Sequence, residues 1–198
     1  MTSRVFAACL LALLSIGWAN LVVAQLASDG AEGHLRQTID AVLLQADQSS
    51  DHQALAKSVR PMLEQRVGFA TMTKRAIGPG WRQFNSQQQA QAIDLFTTLI
   101  IRSYASKFTP GEHPEITYRG AQGKETNRTE VATTLVYRGT RYAVSYRLEV
   151  EGGWKITDVS IEGVSLVANY RSQLDAAFRS GGAQAVLEAL KKTATNNP

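Results

Sequence analysis

The side chains best placed for chemistry are Asp158, Glu162 and Ser165, gathered where a strand-like run, Trp154 to Glu162, turns into an amphipathic helix. Ser165 follows Gly163-Val164, the position where a hydrolase keeps its nucleophile. The nucleophile elbow is G-x-S-x-G, however, and here Leu166-Val167 follow, so the second glycine is missing. No histidine follows His113 to serve as a downstream base. Ser165 therefore reads as a helix cap, its hydroxyl oxygen accepting orphan amides of the first turn. Asp158 and Glu162 are the remaining acid–base candidates; hydrogen bonding to turn amides is the simpler role for both. Gly120-Ala121-Gln122-Gly123-Lys124-Glu125 looks like a phosphate-binding loop but is too short. It also puts Glu125 where Ser or Thr must hold a metal ion, and reads instead as a hairpin loop. His34, His52 and His113 are far apart and none has H-E-x-x-H spacing, so no metal site is expected. No cofactor motif is present.

Charge narrows the partners. The 198 residues carry 21 Lys+Arg against 17 Asp+Glu, a net charge of +4. That permits contact with anionic lipid but does not argue for nucleic acid. The aromatic residues Trp81, Phe84, Phe96, Tyr104 and Phe108 have no interleaved basic stripe of the kind a nucleic-acid platform needs. At the start, Arg4 precedes an apolar run from Val5 to Ala24 without an acidic residue. This has the form of a secretory signal, with cleavage after Val22-Val23-Ala24 or, alternatively, after Ala19; an uncleaved membrane anchor is the other reading of a run of about 20 apolar residues. Residues 1–24 are read as signal peptide and 25–198 as one domain with a sizeable core. The single cysteine, Cys9, leaves with the signal, so the mature protein has no disulfide.

The elements that must position these residues come in three blocks. Ser28 or Asp29 can cap a first helix carrying Leu35, Ile39, Val42 and Leu43, and Asp51 can cap a second that Pro61 interrupts or restarts after Val59-Arg60. A short segment from Phe69 stops at Ile77-Gly78-Pro79-Gly80. Ser86-Gln87-Gln88-Gln89 then forms an S-x-x-Q capping box before a long helix to about Phe108. Its apolar residues sweep roughly 240° of arc, where a surface helix needs little more than about 100°. This helix must be covered on two sides, by other helices or by an apolar ligand. After Pro110 and Pro114 come four strands, with Tyr142, Val144, Tyr146, Leu148 and Val150 alternating against Ala143, Ser145, Arg147 and Glu149. Two helices, joined at Gly181-Gly182, end the chain. The pattern is α+β, a four-stranded antiparallel meander packed against helices.

Beyond these patterns, Ala76-Ile77-Gly78-Pro79-Gly80-Trp81-Arg82 with Ser86-Gln87-Gln88-Gln89 resembles the MlaC/toluene-tolerance family. Trp154-Lys155-Ile156-Thr157-Asp158-Val159-Ser160-Ile161-Glu162-Gly163-Val164-Ser165-Leu166 is the specific part of the likeness, which Tyr170-Arg171-Ser172-Gln173-Leu174 and Gly181-Gly182 with Leu187 and Leu190 continue, over about residues 33–193 in all. Pro79 departs from it, since the family usually has a polar or bulkier residue after that glycine. The resemblance implies a periplasmic carrier, not an enzyme, that takes phospholipid between an outer-membrane lipoprotein complex and an inner-membrane MCE-domain ABC transporter. A hopanoid carrier is the neighbouring alternative. The implied fold is a curved sheet flanked by helices, an NTF2-like cone that buries acyl chains and leaves the headgroup in water, working as a monomer. The rival on the same fold is an enzyme with Asp158 as acid or base.

A carrier needs a deep apolar cavity, expected between the apolar sheet face and the long helix. The expected lining is Trp81, Phe96, Leu99, Ile100, Tyr104, Val144, Tyr146 and Leu148. Asp158, Glu162, Gly163 and Ser165 are expected to shape the strand-to-helix turn, and Arg138, Arg141 and Arg147 to guide docking.

Overall fold

The structure, a computed structural model, describes residues 30–196. The signal-peptide assignment and the Ser28 or Asp29 cap lie outside the described residues. Helix α1 covers 30–48. Helix α2, His52–Arg66, starts at Asp51, whose carboxylate accepts the Ala54 amide at 2.8 Å. Pro61 does not interrupt it as expected: α2 runs through, its buried Leu55 and Val59 anchoring one face while proline removes a single backbone donor. Helix α3, Phe69–Ile77, ends at Gly78, whose φ of 71° suits glycine. A 3₁₀ turn, Gly78–Gln83, follows, with Pro79 near its start, where a missing N–H costs nothing.

Helix α4 is Ser86–Ala105. Its cap is one residue earlier than the sequence suggested: Asn85 accepts the Gln88 amide at 2.8 Å, and the Gln88 side chain accepts the Asn85 amide at 3.0 Å. Asparagine is as good a cap as serine and here displaces it. Helix α5, Leu166–Asn196, breaks at Gly181-Gly182, where both residues leave helical backbone geometry. None of the described helices is long and apolar enough to cross a membrane.

The sheet has five strands, not four, in the order β1 (Glu115–Glu125), β2 (Arg128–Tyr137), β3 (Thr140–Val150), β4 (Trp154–Ile161) and β5 (Val164–Ser165), all antiparallel. Two residues are too few to show a period of two, so the sequence pattern could not reveal β5. Its turn, read from the sequence as leading from strand to helix, joins two strands: Glu162 and Gly163 both have positive φ, as do Arg138 and Gly139 between β2 and β3. These are two-residue hairpins whose twist matches the strands. The stretch Gly120–Glu125 is not a hairpin loop but the end of β1, which slips register between Tyr118 and Ala121 and again between Gln122 and Glu125. A third irregularity falls opposite Arg147 and Leu148. Such bulges bend and twist a strand locally.

Two cores result. The larger joins α2, α3, α4 and α5 around Met72, Phe96, Leu99, Leu174 and Leu190. The smaller lies between α1 and the sheet, with Ala31 and Leu35 against Val131, Leu148 and Ile156. Helix α4 lies against α2 and α3 as well as α5. Helices thus cover most of its broad apolar arc, and only its C-terminal end is left for anything else.

Candidate functional site

That end of α4 opens into a cavity of about 920 Å³. One wall is the sheet face carrying Leu135, Tyr142, Val144, Tyr146, Val159 and Ile161. The strand register sets this face: Val144 pairs with Thr133 and Ile161, and Tyr146 with Val131 and Val159, so apolar residues from three strands share one side. Tyr104 and Phe108 close the cavity from the end of α4, and Leu166 and Tyr170 from the start of α5. Burial pushes the Tyr104 phenol up to about 12 and raises that of Tyr146 further, so both stay neutral at ordinary pH and the wall carries no charge from them.

Polar side chains share the lining, among them His52, Glu112, Arg138, Ser165 and Asn169. Arg138 donates to both oxygens of Glu112, at 2.6 and 2.9 Å, and the Tyr137 hydroxyl donates to the same carboxylate at 2.9 Å. These bonds, those of Arg138 first, hold the Glu112 carboxyl below its ordinary range. His52 bonds the Phe108 carbonyl at 3.0 Å, and Asp47 accepts the Gly111 amide at 3.1 Å and meets His113 at 2.9 Å. The segment between α4 and β1 is thereby tied along one side of the mouth. Lys107 and Asn169 are exposed there, as is Val164, whose apolar side chain is 63% exposed.

Asp158 is only 4% exposed and lies off this wall. Its Oδ2 accepts the Ser165 hydroxyl at 2.6 Å, and its Oδ1 accepts the amides of Val159 (2.9 Å) and Val167 (3.2 Å). Ser165 Oγ in turn accepts the Ala168 amide at 3.0 Å. The pair shares two orphan donors of the first turn of α5, so both residues are helix-capping groups. Glu162 accepts the Ala143 amide at 2.5 Å and pins the β4–β5 turn to β3. A general base needs a lone pair facing a substrate; Asp158 instead accepts two backbone amides and the Ser165 hydroxyl. Among the described residues no cluster of three or more His, Cys, Asp or Glu side chains could hold a metal ion.

The eight side chains picked from the sequence divide by location. Tyr104, Val144 and Tyr146 line the large cavity. Ile100 lines a separate apolar void of about 150 Å³ between α1, α2 and α4, which also touches Tyr104 and Phe108. Phe96 and Leu99 are sealed in the helical core, Phe96 edge-on to Tyr170 with ring centroids 5.3 Å apart. Leu148 is sealed under α1, and Trp81 lines a polar cleft elsewhere on the surface. Missed were Leu135, Tyr142, Val159, Ile161 and Tyr170. Tyr142 lay in the alternating set already recognised, and the others follow once β2, β4 and α5 are set in register around it. Of the three arginines, Arg138 pairs with Glu112 beside the cavity, Arg141 is exposed, and Arg147 stands 3.7 Å from Asp158.

Residues 35–192, from α1 into the last turns of α5, match the family model described as MlaC protein. The chain belongs to the MlaC family. No curated protein matches it. Among solved structures it is similar to a phospholipid-binding protein from Ralstonia solanacearum, determined in complex with a phospholipid at 1.53 Å resolution. The TM-score is 0.76 and the identity 25%, over 83% of this chain and 97% of that one. Membership places the chain among proteins of lipid binding and transport, not in a known enzyme class.

Proposed function

We propose that this MlaC-family chain is a periplasmic phospholipid carrier, exported with a cleaved signal peptide, whose 920 Å³ cavity holds the acyl chains. The cavity is the observation that carries the reading. A phospholipid has roughly 28 chain methylenes, each contributing about 0.8 kcal/mol when buried. Exposing them all to water would cost on the order of 20 kcal/mol, so a carrier must enclose nearly the whole hydrocarbon. The size of the cavity, 920 Å³, and its apolar wall support a hydrocarbon cargo. Of the eight residues expected from the sequence, Tyr104, Val144 and Tyr146 are proposed as lining that touches lipid, joined by Leu135, Tyr142, Val159, Ile161 and Tyr170. The exposed Lys107 and Asn169 suit a headgroup left outside in water. In the cell the carrier shuttles between an outer-membrane lipoprotein complex and an MCE-domain ABC transporter of the inner membrane, working as a monomer.

The test is removal of lipid from membranes. Protein stripped of lipid is mixed with heavy vesicles of phosphatidylethanolamine and phosphatidylglycerol, which are then pelleted. Phospholipid recovered with the protein in the supernatant, saturating near one per chain, is expected. A supernatant holding no more lipid than buffer alone would contradict the proposal.

A further inference from the structure

A second concavity, of about 590 Å³, lies between α3, the 3₁₀ turn, the end of β3 and α5. It is polar where the large cavity is apolar. Lys74, Arg75, Arg82 and Arg171 line it together with Glu149 and Glu151. Arg75 is spent on Glu149 through two hydrogen bonds of 2.8 and 2.9 Å, and Glu151 accepts the Thr71 hydroxyl at 2.6 Å. Lys74, Arg82 and Arg171 have no ion-pair partner among the described residues. Three unpaired cations therefore face one cleft from three elements, α3, the 3₁₀ turn and α5, with the Trp81 indole beside them.

The backbone is adapted to hold one of those cations. Gly78 has a φ of 71°, and a Cβ there would stand 3.1 Å from the Arg171 guanidinium. A side chain at position 78 would have to push the Arg171 guanidinium by a few tenths of an ångström, besides straining the backbone. Trp81 is fixed in turn by stacking on Phe84, centroids 5.7 Å apart, and Phe84 by stacking on Phe178 at 6.4 Å. The cleft thus has a rigid aromatic side and a positioned guanidinium, features of a surface held ready for a partner.

We propose that this cleft is a docking site for an acidic segment of a partner protein, distinct from the lipid cavity. Carboxylate side chains on an extended or helical segment complement Lys74, Arg82 and Arg171, and Trp81 supplies apolar contact area. A bilayer is the poorer fit. Electrostatic adsorption to anionic lipid takes a cluster of about 4–8 cations on one face, whereas here three unpaired cations share a concave site with two carboxylates that repel phosphate. The placement suits a carrier: Tyr170 lines the lipid cavity while the next residue, Arg171, lines the cleft. A partner seated in the cleft leaves the mouth open beside it. In that respect the proposal rests on the carrier reading.

The experiment is binding of a fluorescein-labelled hexaglutamate peptide by anisotropy, at low and physiological ionic strength, with lipid content measured on the same samples. The wild-type protein is expected to bind, more weakly as salt rises, and R82E/R171E to bind at least about tenfold more weakly with unchanged lipid content. K74E/R82E, which leaves the Arg171–Gly78 packing untouched, should show the same loss and guards against a folding defect. Peptide binding that both variants retain would overturn the proposal, as would no binding by lipid-loaded wild type; the carrier reading would survive either. Protein that binds peptide but never holds lipid would leave the cleft in place and sink the carrier. Binding to phosphatidylglycerol vesicles that both variants lose, without any peptide binding, would assign the cleft to a membrane surface instead and overturn the protein partner.

Discussion

Asp158 and Ser165 show why residue type alone misleads about chemistry. A buried carboxylate 2.6 Å from a serine hydroxyl could pass for half of a catalytic pair, yet both spend their acceptors on backbone amides of α5. Ser165→Ala should cost about 1 kcal/mol of stability as a lost cap, and Asp158→Ala about 1–3 kcal/mol because the Val167 amide is left without a partner. Both are read from urea unfolding, with phospholipid bound per folded molecule unchanged. Normal stability with abolished lipid binding in either variant would return these residues to the functional site. Glu149 offers a pH test. Burial works to raise its carboxyl, but the hydrogen bonds and charge of Arg75 outweigh that and hold it below the ordinary glutamate value. Its contribution is therefore complete above the unfolded value and lost as pH falls through the depressed one. Arg75→Ala should lower stability by about 1 kcal/mol at neutral pH. The difference from wild type should shrink in acid, as urea midpoints across pH will register.

Helices and strands divide the apolar residues between packing and lining in a way their periods do not record. Helix α4 has an apolar arc wide enough for two neighbours, and the sequence showed as much. It did not show that α2, α3 and α5 would supply the cover for Phe96 and Leu99, leaving Tyr104 and Phe108 at the cavity. A period gives the face of an element but not how far along it each neighbour extends. The same limit applies to β3, whose alternation was read in correct register: Val144 and Tyr146 face the cavity, while Leu148, two residues on, is sealed under α1. The distinction is testable. Phe96→Ala should cost about 3–5 kcal/mol in thermal or urea unfolding, while the molecules that stay folded keep their lipid. Val144→Trp should do the reverse, filling the cavity and reducing bound phospholipid with the unfolding midpoint little changed. Equal effects of the two on lipid content would contradict the division.

At the scale of the whole molecule, the order of elements, the α+β class and the break at Gly181-Gly182 were legible because each has a local signal: a cap, a turn or a period. The cavity was not. It arises where the end of α4, the start of α5 and one face of the sheet diverge, and no local pattern encodes that gap. What the sequence did carry was the stretch from Trp154 to Leu166, which pointed to the MlaC family through residues that build a turn and a cap, of which Val159, Ile161, Val164, Ser165 and Leu166 also line the cavity. The central claim is that this cavity holds phospholipid chains. It is tested most directly by native mass spectrometry of the mature protein purified without detergent, with organic extraction of the same sample. One bound phospholipid per chain is the predicted result. Bare protein, with no lipid in the extract, would contradict it.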